Sequence, residues 1–271
     1  MDQHYQLCIL EQQRELLAIM SNHWFREFAG RYKFPENYIC FDIETSGIDP
    51  ANDYICSIGH TIVRDGVIGP YHESYLNWPD HPGIDASKLR SSLQRVQTIM
   101  ESRGKPFHHT WERLRRDGKP PLQVLADYLD LFEAAEDRKE VVVAHNGWRF
   151  DIEFLQSHFH DWLGISYAFA PELVYDTGVA EKASQLGEDD DPLPTPGETM
   201  QQFSWRIGNL PKRGVYWALD GYCDEQYNLF EKAGLDPGEA HGAGADSLLL
   251  AYLVEEHRKL AESVGPIGES D

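Results

Sequence analysis

Positive charge is what this chain has least of. Lys and Arg total 24 against 45 Asp and Glu, a formal net of −21 over 271 residues. Such a surface favours solubility and repels a phosphate backbone at long range, so taken alone it points away from a DNA or RNA partner. Cysteine is sparse as well. Cys8, Cys40, Cys56 and Cys223 form no C-x-x-C pair and keep no regular spacing. This argues against a disulfide framework and against a zinc site built from thiolates. No apolar run approaches the roughly 18 residues of a membrane span. The opening MDQHYQLCIL lacks the basic stretch and long apolar segment of a secretory signal. The expectation is a cytoplasmic protein with reduced thiols and no membrane partner.

What remains is ample for a folded core, since 41% of the residues are hydrophobic and the length suits one large domain or two small ones. The charge is also uneven. Residues 88–119 carry nine Lys or Arg and three acids, leaving fifteen against forty-two elsewhere. An exposed helical face and a wall that guides a phosphate backbone are both consistent with that segment. GEDDDPLPTPGE, at 187–198, is acidic and proline-rich and reads as a solvated loop.

Periodicity places the elements. Leu10, Leu17, Met20, Trp24 and Phe28 keep a three-and-four spacing, so residues 5–30 read as a helix. YICFDIE (38–44) alternates like a strand, and two more strands follow at 54–66 and 67–78, joined by Asp65-Gly66, a hairpin signal. Helices are expected within 86–136, after the short strand VVVAHN (141–146) in RFDIEFLQSHFHDWL, and around 215–232 and 243–261. ELVYDT (172–177) reads as one more strand. A meander followed by alternating strands and helices predicts one α/β domain with a mixed central sheet.

Within YICFDIE, Ile39, Phe41 and Ile43 share one face, while Cys40, Asp42 and Glu44 share the other. Two carboxylates on one face at the exit of a buried strand repel each other, unless a cation neutralises them. Oxygen ligands of this kind suit Mg²⁺ or Mn²⁺. Asp151 falls at the start of the helix after VVVAHN, and Asp246 near the start of a helix rich in leucine. Singly, each is an ordinary partner for a helix dipole. His241 precedes Asp246 by five residues, a spacing that puts the two on different faces of one helix. If they cooperate, His241 lies on the segment leading into the helix.

Taken together, FDIETSG, AHNGWRFDIEFL and HGAGADSLLLAYL, in this order, resemble the three motifs of the DEDD exonuclease superfamily. The histidine before the last acid matches its histidine branch, which includes the proofreading subunit of the bacterial replicative polymerase and ribonuclease T. The likeness spans roughly residues 37–260; Gly147-Trp148-Arg149 is bulkier than the family's usual spacer. It implies a ribonuclease H-like fold with helices flanking the sheet, and metal-dependent hydrolysis at the 3′ ends of single-stranded DNA or RNA. Two divalent ions, Mg²⁺ or Mn²⁺, would be the cofactors. Asp42 would bridge them, Glu44 and Asp246 would hold the nucleophile-side ion, and Asp151 the other. His241 would be the general base, since imidazole changes charge near neutral pH. Gly242 and Gly244 would give its loop mobility.

The resemblance also implies a pocket for the terminal nucleotide, lined by Thr45, Ser46 and Gly47, with Ile48 against a base. His145 and Asn146 would touch substrate or end the buried strand. Trp148 reads as core first, with stacking on a base as the other role open to it, and the His108-His109 pair as solvent-exposed. The expected organisation is a helical extension (1–34), an exonuclease domain (35–262) with the acidic insert, and a short tail (263–271). The leading helix has three roles open to it: capping the domain, pairing two copies as a homodimer, or docking a replication or repair partner. Two further readings stand beside the exonuclease, an RNA-trimming or short-oligonucleotide nuclease and a non-catalytic interaction module. The filled acidic set speaks against the last.

Overall fold

Backbone geometry at Asp65 and Gly66 shows how local chemistry starts the fold. Both lie in the left-handed region, φ 50° and 73°, the conformation that a two-residue hairpin turn requires. The turn joins β2 (Ile55–Arg64) to β3 (Val67–Tyr75), and β2 pairs antiparallel with β1 (Tyr38–Thr45). The computed structural model describes residues 23–186, 192–210 and 227–262. It continues the sheet with β4 (Val141–Ala144) and β5 (Val174–Asp176), both parallel to β1, in the order β3-β2-β1-β4-β5.

Helices cover both faces. On one lie α1 (residues 23–31), α6 (Thr177–Ser184), α7 (Met200–Asn209), α8 (Leu229–Ala233) and α9 (Ala243–Glu262). On the other lie α2 (Ala86–Ser102), α3 (Trp111–Asp117), α4 (Pro121–Asp137) and α5 (Asp151–His158). Alternation along β1 divides the core accordingly: Tyr38 and Cys40 face the α9 layer, and Ile39, Phe41 and Ile43 face the α4 layer. The architecture is the expected mixed sheet flanked by helices.

The 86–136 region resolves into three helices because its caps are explicit. Asp85 accepts from the amides of Ser87 and Lys88, Thr110 accepts from Arg113, and Pro121 opens α4. Two helices were not anticipated, α6, whose N-cap is Asp176, and α7. α7 follows the acidic stretch directly, and its signal is Thr199-x-x-Gln202, a reciprocal capping box. Of the helix expected over 215–232, residues 215–226 lie outside the described residues and Leu229–Ala233 is helical. Of the leading helix expected over 5–30, residues 5–22 also lie outside the described residues. Its described part buries Trp24, Phe25 and Phe28 in the same core as Tyr175 and Phe203. The described end of the acidic stretch is anchored rather than solvated throughout. Leu193 is buried, and the carbonyls of Pro192 and Pro194 accept from Trp24 Nε1 and Arg31 at 2.9 and 2.7 Å. No described helix is long and apolar enough to cross a membrane.

Candidate active site

β1 carries its acids to the sheet's exposed end, and strand register extends the row. Asp42 lies opposite Gly59 of β2, which lies opposite Glu73 of β3. In the next row on the same face, Glu44 is followed by Ser57 and Tyr75. The missing side chain at Gly59 is what admits α9. A Cβ there would lie 2.1 Å from the carbonyl carbon and oxygen of Ala243, at the start of the helix. Gly244 is equally constrained, because its Cβ would meet the Tyr71 ring and Glu73 Cβ at 2.6 and 2.9 Å. The sequence reading made Gly244 a source of loop mobility; it instead allows the helix to pack on β3. This contact sets Asp246, three residues after Ala243 and buried, over the β1 acids.

Replacing Gly59 by alanine should therefore push α9 off the sheet. A stability loss of about 2–3 kcal/mol is expected from overpacking against backbone, together with weakened Mn²⁺ binding. Thermal melts and calorimetric Mn²⁺ titration check both. Wild-type Mn²⁺ affinity in this variant would show that the Gly59 contact does not place Asp246.

His241 reaches the same place from the segment before α9, as its spacing required. It holds φ 62°, a left-handed conformation uncommon outside glycine. One ligand atom each from Glu44, His241 and Asp246 lies within 4.8 Å of the others. Asp151, at the first turn of α5, is buried and accepts the Ile43 amide at 3.2 Å, which docks it beside β1.

Crowding shows in the titration of these groups. Burial, then the charges of Asp151, Asp246, Glu44 and Glu73, push the Asp42 carboxyl well above the ordinary carboxylate range. Glu44 is pushed up by burial and by Asp246, Glu73 and Asp151. Burial raises Asp151 to about 7, against the opposing effect of backbone hydrogen bonds. Acids so placed cannot all ionise at neutral pH without compensating positive charge. The carboxylates of Asp42, Glu44, Asp151 and Asp246 form an oxygen donor set that fits hard divalent cations.

The surrounding layer holds three residues that sequence reasoning missed or misread. Glu73 enters only through register. Burial pushes its carboxyl up, but the neighbouring His109 and Ser57, and Tyr75 donating to Oε2 at 3.1 Å, outweigh this and hold it below the ordinary value. His109, expected in solvent, is 2% exposed. Its Nε2 lies 2.9 Å from Ser57 Oγ and 3.9 Å from Glu73 Oε1, and burial depresses its pKa. Serine and glutamate meet the same ring nitrogen, so these three do not form a hydrolytic triad, which needs both nitrogens. His108 Nε2 donates to the Ala240 carbonyl at 3.1 Å, bracing the residue before His241.

Asp176 closes the other side. Its carboxylate accepts from the amides of Asn146 at 2.8 Å, Trp148 at 3.5 Å and Val179 at 3.2 Å. It thus clamps the turn that delivers Asp151, and burial raises its pKa to about 6. Asn146 takes φ 63° in that turn.

The remaining sequence candidates scatter around this centre. Ser46 is buried and accepts from the Tyr54 amide, while Thr45 Oγ1 donates to the Gly47 carbonyl. Gly47 packs against the Asp53 carboxylate, and Ile48 is 85% exposed at the loop's edge. His145 Nδ1 lies 3.0 Å from Thr177 Oγ1. Trp148 is core, as expected. His158 is buried, with Nδ1 donating to the Phe154 carbonyl and Nε2 accepting from the Ile55 amide. It pins α5 to β2.

No family model matches this sequence, and no curated protein sequence matches it. Solved structures do. An exonuclease I structure aligns with TM-score 0.52 and 18% identity, over 84% of this chain and 43% of that one. Escherichia coli exonuclease I with a dA16 oligonucleotide aligns with TM-score 0.51 and 17% identity, over 84% and 42%. The zinc-bound E. coli exonuclease I complex with single-stranded DNA gives TM-score 0.50 and 16% identity, over 84% and 40%. The chain spans less than half the length of these proteins. At such identity the likeness is one of fold, and it agrees with the ribonuclease H-like architecture expected from the sequence.

Proposed function

We propose that this chain is a metal-dependent 3′-to-5′ exonuclease of the DEDD type, histidine branch, acting on single-stranded nucleic acid. The observation that carries the reading is the meeting of Glu44, His241 and Asp246 beside Asp42 and Asp151. A fold shared with exonuclease I, which has been solved on single-stranded DNA, supports it.

Asp42, Glu44, Asp151 and Asp246 would hold two divalent ions, Mg²⁺ or Mn²⁺. When bound, such ions supply charge for the scissile phosphate and a nucleophile at neutral pH. The residues supply the rest. Asp151 is fixed by the Ile43 amide and Asp246 by the Gly59 contact, so two of the acids that would hold the ions come from helices and two from β1. His241, on its braced segment, would take the proton of the attacking water. The loop 45–48 would seat the terminal nucleotide.

The test is a 5′-labelled single-stranded oligonucleotide with Mg²⁺, Mn²⁺ or EDTA. Stepwise shortening from the 3′ end, abolished by EDTA, is the expected result. His241→Ala should keep oligonucleotide and Mn²⁺ binding while losing about 10²–10⁴-fold in turnover, the usual scale of a general base. Activity in EDTA, or a His241→Ala variant as fast as the wild type, would contradict the mechanism.

A further inference from the structure

The catalytic acids account for a 3′ end, not for the chain behind it, and an acidic protein needs somewhere to hold that chain. We infer that the groove between α2 and α3 is the seat of the upstream strand of a single-stranded nucleic acid. The inference rests on the exonuclease reading for the direction in which the strand runs.

Three observations carry it. The first is charge. Nine of the 24 Lys and Arg fall in residues 88–119, so the one basic segment of an acidic sequence forms these two helices and their link. A polyanion would find its attraction there.

The second is the groove itself. It is open, about 550 Å³ in volume, and lined by Arg90, Trp111, Glu112, Arg115 and Arg116. The Arg90 guanidinium lies 4.2 Å from the centre of the Trp111 ring. An aromatic platform among arginines is the pairing that holds single strands, with bases stacking on the ring and phosphates meeting guanidinium groups. Arg115 is paired with Asp80 at 2.9 Å and Arg116 with Asp117 at 2.7 Å. Exposed pairs of this kind contribute about 0–1 kcal/mol, so exchanging a carboxylate for a phosphate costs little.

The third is continuity with the site. Tyr75 stands in the same row as Glu44, two strands across, a distance of about 10 Å at normal strand spacing. Arg113 of α3 lies 4.6 Å over the Tyr75 ring, and Trp111 opens the same helix. At the other wall, Lys88 of α2 donates to Asn52 Oδ1 at 2.9 Å, in the loop that follows β1. Both walls of the groove are thus helices tied to elements that border the acidic centre, α3 to β3 and α2 to the loop after β1.

The test is binding rather than turnover. Anisotropy of 5′-fluorescein dT3 and dT16 is measured in EDTA, for the wild type and for Arg90→Gln/Arg116→Gln. Wild type should bind dT16 at least tenfold more tightly than dT3, and the double variant should lose most of that advantage. Its slope of log affinity against log salt should be shallower by about 1–2. Trp111→Ala is expected to give a similar loss. Trp111 also packs on the core, so the arginine pair decides the matter if that variant unfolds. Equal affinity for dT16 in the wild type and the double variant overturns the groove, as does a wild type that shows no length advantage. Neither result depends on hydrolysis, so failure of the exonuclease reading would appear separately in the Mg²⁺ assay.

Discussion

Asp42→Asn is expected to abolish hydrolysis while raising the melting temperature of the metal-free protein. The two effects have one cause. Burial and four neighbouring carboxylates oppose ionisation of Asp42, so its charge is a cost to the fold unless a proton or a cation neutralises it. Asparagine keeps the shape and removes the charge. Relief of about 1–2 kcal/mol would raise the melting temperature by about 2–8 °C for a domain of this size. If Asp42 bridges the two ions as proposed, its loss would leave them poorly held, and turnover should fall by about 10³-fold or more, or roughly 4 kcal/mol of transition-state stabilisation. Thermal melts in EDTA and the oligonucleotide assay in Mg²⁺ read the two halves independently. Turnover near that of the wild type would sink the assignment of Asp42 as bridging ligand. A lowered melting temperature would mean that its carboxylate is needed by the fold rather than merely tolerated.

The second large effect is a reversal of the usual acid sensitivity. Asp151 is raised from an ordinary carboxylate value to about 7, Asp176 to about 6, and Asp42 and Glu44 are raised as well. For a group whose folded pKa exceeds its unfolded value, the stabilisation is complete below the unfolded value. It is lost as pH rises through the folded one. The metal-free protein should therefore lose stability between about pH 4 and pH 7, by an amount on the order of 3 kcal/mol from Asp151 alone. Divalent cations bind the ionised acids, so their stabilising effect should grow with pH. At a hundred times the dissociation constant this amounts to about 2.7 kcal/mol. The measurement is a set of melts from pH 5 to 8, with EDTA and with Mg²⁺ or Mn²⁺. Asp42→Asn serves as the control for the general repulsion of a −21 surface. An Mg²⁺-induced rise in melting temperature that is as large at pH 5 as at pH 8 would contradict the cluster's titration.

Much of the site was legible before any coordinates, for a local reason. Strand alternation puts Asp42 and Glu44 on the face opposite Ile39, Phe41 and Ile43 whatever surrounds them. The Asp65-Gly66 turn, the leucines behind Asp246 and the five-residue offset of His241 are equally local, set by turn chemistry and helical period. The offset is met by a left-handed residue just before α9, so His241 and Asp246 approach from a loop and a helix. The three-motif resemblance joined these pieces into one centre.

What the tertiary structure decided is whatever depends on register and on contacts between distant segments. Glu73 joins the acidic row because β3 pairs with β2 at Gly59, a partnership that no local pattern specifies. His109 looks like any histidine in a basic stretch until the chain folds it over Ser57. Asp176 reads as a strand end, although its carboxylate holds the turn 30 residues away in sequence. Local side-chain direction follows from backbone period, whereas burial and partnership follow from which elements meet. The sequence by itself determined which acids and which histidine point out of their elements. The packing of α9 on Gly59, the clamp of Asp176 and the seating of α3 beside Tyr75 decided that they point at one another.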